Sequence, residues 1–83
     1  MQSDKEKVIQ IEDYRNQLFY QGIDVPEIVL FLELNSVRMF GSNLNPDELS
    51  LDQILIMLKE INSSKDHIDL LKSTNAIRQA CQT

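Results

Sequence analysis

Apolar residues recur along this chain at intervals of three and four, and four segments carry that helical pattern. The second segment is the densest. In Pro26-Glu-Ile-Val-Leu-Phe-Leu-Glu-Leu-Asn-Ser-Val-Arg-Met-Phe40, nine of fifteen residues are apolar: Ile28, Val29, Leu30, Phe31, Leu32, Leu34, Val37, Met39 and Phe40. A helix of that composition is greasy over most of its circumference, so a single neighbour cannot cover it. Flanking segments or a second copy of the chain must wrap it. The short run from Ile28 to Leu32 would also fit a buried strand. Asp24 as a cap, Pro26 in a first turn and Gly41 as a stop favour a helix of ordinary length instead. No second strand-like segment is available to pair with it.

The other three segments follow the same logic. Ser3 and Glu6 make a capping-box pattern that opens a first helix. Val8, Ile11, Tyr14 or Arg15, and Leu18 continue it to Gly22, with Ile9 and Phe19 widening the stripe. Gly41-Ser-Asn-Leu-Asn-Pro46 is a run of turn formers. Beyond it two starts compete: Asn45-Pro-Asp-Glu48, and Ser50-Leu-Asp-Gln53. One continuous helix from Pro46, or a short turn followed by the main helix, satisfies both. Its core face is Leu51, Ile54, Leu55, Leu58 and Ile61, while Ile56 and Met57 form a second apolar edge. Ser63 or Ser64 then caps a last helix with a thin apolar face, on which His67, Leu70, Leu71, Thr74, Ile77, Arg78 and Cys81 fall at helical spacing. The pattern predicts an all-α fold, a small bundle of three to four short helices near 4–21, 26–40, 46–61 and 64–80 in a single domain spanning 1–83.

Composition changes the picture in one respect. At 83 residues a single core is only marginally sufficient, and chains of this size add disulfides, a metal or a partner. Cys81 is the lone cysteine and His67 the lone histidine, so neither an intrachain disulfide nor a structural zinc site is expected. Association is the remaining supplement. The expectation is a homodimer paired through the central helix, with Phe31, Leu34, Met39, Phe40, Ile56 and Met57 as the candidate interface.

Net charge is −5, and the acids concentrate in the middle of the chain: seven acids and two bases lie in residues 22–62. Asp24, Glu27, Asp47 and Glu48 read as first-turn residues that the helix dipole favours. A basic nucleic-acid footprint is absent. The segment from 26 to 61 has a helix-turn-helix outline, yet Pro46-Asp-Glu-Leu-Ser-Leu-Asp52 would present carboxylates to phosphate. Nucleic acid is therefore not an expected partner. The opening Met1-Gln-Ser-Asp-Lys-Glu-Lys7 has no signal-peptide core and no apolar run is long enough to span a bilayer, so a cytoplasmic location is expected.

Catalytic chemistry is not legible. His67 lies beside Asp66 and Asp69 with no converging partner and reads as a surface or capping residue; Cys81 reads as an ordinary small side chain. Gly22 and Gly41 are isolated stops, not a phosphate loop. No cofactor, metal or enzymatic activity is expected.

The order of features nonetheless resembles a known group. An aromatic-rich first segment (Tyr14, Phe19, Tyr20) precedes a long apolar helix and a turn with Gly41, Asn43 and Asn45. A helix carrying Ile54, Met57, Leu58 and Ile61 follows, closed by Asn62-Ser-Ser-Lys-Asp66. This arrangement is similar to the YmgB/AriR family of small enterobacterial biofilm and acid-resistance regulators, which includes two-component-system connector proteins. The resemblance spans roughly Tyr14 to Ala80 and implies a homodimer of short helices that regulates by binding a signalling partner. The expected function is accordingly that of a connector, adaptor or inhibitor acting by protein–protein contact. The alternatives are an immunity-type inhibitor encoded by a mobile element and a nucleic-acid-binding regulator.

Overall fold

A computed structural model describes residues 3–81. Within them the chain forms four α-helices and no strand: α1 (Asp4–Tyr20), α2 (Val25–Phe40), α3 (Leu51–Asn62) and α4 (Lys65–Cys81), with a 3₁₀ turn at Pro46–Glu48 between α2 and α3. Both competing starts of the third helix are used, in the second of the two ways. Asn45 caps the short turn, Leu49 breaks it with an extended backbone, and Ser50 and Gln53 close a reciprocal capping box at 3.2 and 3.0 Å that opens α3. The third helix thus begins at Leu51 and not at Pro46.

The turn from α1 to α2 is built locally. Gly22 takes a left-handed φ of 86°, its N–H donates to the Phe19 carbonyl, and the Ile23 N–H reaches back to Leu18 at 2.9 Å. This helix-ending motif places an apolar contact between the residue after the glycine and the third-last helical residue. Ile23 and Leu18 are indeed both fully enclosed in the core. Asp24 then caps α2 in a box with Glu27. Gly41, also left-handed, ends α2 by donating to Val37 at 2.8 Å.

The hub of the bundle is α3. It lies along α1 and also meets α2 and α4, and Leu55, Met57, Leu58 and Ile61 are buried on a broad face of it. Together with Leu18, Ile23, Ile28, Phe31, Leu32 and Leu71, these side chains are the buried core, and Ile11, Tyr14, Ile54 and Ile68 pack against it. The greasier α2 sits at the side of this hub. The bundle measures 45 × 27 × 22 Å, its thinnest dimension being about two helix diameters. In so thin an assembly a helix covers one face and presents the other to solvent, and α2 does so.

Candidate interaction surface

The inner face of α2 is set by Ile28, Phe31, Leu32 and Ser36, all buried. Its flank toward α4 is fixed by two contacts. The Phe31 and His67 rings meet edge to face, with centroids 5.1 Å apart. Four residues before Phe31, Glu27 is 1% exposed, and its carboxylate accepts from Arg78 Nε at 2.9 Å and from the Asp24 N–H at 3.2 Å. Asn75, also buried, donates to the Gly22 carbonyl and accepts from Arg78 and Gln79. Going from Glu27 to Phe31 on α2 runs from Arg78 back to His67 on α4, so the two helices cross in opposite senses.

This arrangement corrects part of the expected interface. Phe31 (3% exposed) and Met57 (4%) are core residues. Phe31 is three residues from Ile28, hence on the same side of α2, and α4 closes over it. Met57 lies off the main stripe of α3, but α3 contacts all three other helices and Met57 is part of the buried core. Met39 and Phe40 are half-buried and packed on the core. Leu34 (69% exposed) and Ile56 are the two of the six that face solvent, and they lie on different helices.

Other exposed apolar residues extend Leu34. Leu30, Leu34 and Val37 are spaced four and three residues apart on the outer side of α2, with Leu30 half-buried and Val37 exposed. On α4, the face that turns inward holds His67, Ile68, Leu71, Asn75 and Arg78, which leaves Leu70 and Ile77 exposed. The thin apolar face read from the sequence is therefore split: Leu71 goes in, Leu70 and Ile77 stay out. Leu34 stands three residues beyond Phe31, and Leu70 three beyond His67. Both thus adjoin the same ring contact, on the outer rim of the α2–α4 crossing. A chain of intervals, four and three, also joins Leu70, Thr74 and Ile77. Both outer stripes have the spacing of a coiled-coil seam.

The remaining candidates fall elsewhere. His67, besides touching Phe31, places Nδ1 3.1 Å from the Glu60 carbonyl and so helps close the end of α3. Cys81 is exposed at the end of α4. Tyr14 packs on the core, whereas Phe19 and Tyr20 are exposed at the end of α1. Among the described residues no three His, Cys, Asp or Glu side chains converge as metal ligands, and no helix is long and apolar enough to cross a membrane. The chain matches no protein-family model, no curated protein and no solved structure.

Proposed function

We propose that this protein is a small regulator that acts by protein–protein contact, as a connector or inhibitor, and that it works as a homodimer joined through the outer face of α2 and the adjoining rim of α4. The observation that carries this reading is the exposed stripe Leu30, Leu34 and Val37 on the outer face of α2, with Leu70 on the same rim and Ile77 continuing the α4 stripe in the opposite direction. Fully burying one such side chain is worth about 1.5–3 kcal/mol, and a domain of this size has a net stability of only about 5–15 kcal/mol. Covering four or five of them is a large gain, and seam-like spacing suits a helical occupant lying along them. A second copy supplies the same stripe in a two-fold, self-complementary contact. The resemblance to the YmgB/AriR regulators implies the same mode of action.

The test is light scattering after size exclusion on the wild type and on Leu34→Glu and Val37→Glu. The wild type is expected to elute as a dimer and both variants as folded monomers, since most of each side chain lies outside the core of one chain. A wild type that stays monomeric and cooperatively folded at high concentration overturns the dimer. Phe31→Glu is not a usable test, because it would place a charge in the core.

A further inference from the structure

Away from the α2–α4 rim, the α1–α2 turn and the end of α4 border an open cleft of about 300 Å³, lined by Phe19, Gly22, Ile23, Asp24, Asn75 and Gln79. That is the lower limit of ligand-sized cavities and room for one long side chain. Its hydrogen-bonding character is one-sided. The N–H groups of Gly22, Ile23 and Asp24 donate to Phe19, Leu18 and Glu27; the Asn75 amide donates to Gly22, and the Gln79 amide to Asn75. Arg78, the cation behind the cleft, is committed to Glu27 and Asn75.

What remains available is acceptor and negative charge. The Gln79 side-chain oxygen accepts no hydrogen bond from the described residues; the Asp24 carboxylate caps α2, accepting from the Val25 N–H at 2.8 Å, and keeps its charge outside any of their ion pairs. α1 ends here with its last carbonyls capped by the Gln21, Gly22 and Ile23 N–H groups but with no base in its last turn, while the positive end of α2 is offset by Asp24 and Glu27. Phe19 adds an aromatic wall. The Arg15 guanidinium carbon already lies 5.8 Å from its ring centroid, so a guanidinium can approach this ring.

We propose that the cleft is a binding site for an arginine side chain presented by a partner protein, with the guanidinium held by Asp24 and Gln79 against Phe19. Arginine fits better than lysine because its planar fork both stacks on a ring and donates to two acceptors at once. The site shares no residue with the dimer stripe, so it would let the protein hold a partner while paired.

The test is a titration of the full chain with N-acetyl-arginine methylamide, followed by amide NMR, with the citrulline analogue as the neutral isostere. Saturable shifts are expected at Phe19, Gly22, Ile23, Asp24, Asn75 and Gln79 with arginine, and weaker binding with citrulline. Asp24→Asn retains the helix cap, since asparagine caps as well as aspartate. It should weaken arginine binding about two- to fivefold, the worth of one part-exposed charge pair. Arg15→Gln should tighten it, and Asp47→Asn, in the exposed 3₁₀ turn before α3, should leave it unchanged. Equal binding of the two probes, shifts scattered over the acidic surface, or full affinity in Asp24→Asn overturns the proposal. Leu34→Glu should bind the probe as the wild type does, so failure of the dimer would be told apart from failure of this site.

Discussion

Glu27 and Arg78 are 51 positions apart, and they meet in the only ion pair of the described residues that has a fully buried member. Such a pair adds little stability over an apolar substitute, but removing one partner strands the other's charge. Arg78→Ala should therefore destabilise the fold by about 2–4 kcal/mol in urea unfolding, discounted for the partial exposure of Arg78. Adding Glu27→Gln to that variant should recover part of the loss, because a neutral amide is cheaper to bury than a carboxylate. A double variant less stable than Arg78→Ala would show that Glu27 matters as a cap and not as a buried charge. The surface pair Lys7–Asp52, at 3.0 Å with a largely exposed aspartate, belongs to the weak class and should be nearly silent to substitution.

Among the elements, α3 and α4 are opposites. Four apolar residues of α3 are buried in a twelve-residue helix, whereas in seventeen residues α4 buries Leu71 and Asn75. Its seat depends on Leu71 and on the polar contacts of Asn75, Arg78 and His67. Local opening follows buried contact, so native-state hydrogen exchange should find α4 amides exchanging at lower free energy than those of α3. The two neighbouring leucines of α4 should part just as clearly. In the Leu34→Glu background, Leu71→Ala should cost about 2–4 kcal/mol and Leu70→Ala less than about 0.5 kcal/mol. Comparable losses at both would mean that α4 sits in a different rotation about its axis.

For the whole molecule, a charge of −5 is spread over a surface with three ion pairs among the described residues. Two copies brought together repel, and salt screens that repulsion with a Debye length of about 10 Å at 0.1 M. Self-association should therefore strengthen as salt rises from about 0.02 to 0.3 M, as sedimentation velocity would measure. Binding of the arginine probe should weaken over the same range. Opposite salt slopes separate the apolar surface from the charged one; a dimer that weakens with salt would argue against an interface of Leu34, Val37, Leu70 and Ile77.

Sequence alone determined what is local. The cap at Asp24, the capping box at Ser50–Gln53, the glycine stops at 22 and 41 and the all-α class all depend on residues within one or two turns of each other, where spacing is itself geometry. Ile23 was in principle legible too, as the apolar residue following a helix-ending glycine. The tertiary structure decided which side of each helix is inside. Phe31 and Met57 are buried because α4 and the surrounding helices close over them, and Leu70 is exposed because Leu71, one position on, takes the seat. Apolar residues on both flanks of a helix give the same periodicity whichever flank finds a neighbour. Glu27 shows the same limit, reading as a first-turn acid until Arg78 arrives from the far end of the chain to pair with it inside the protein.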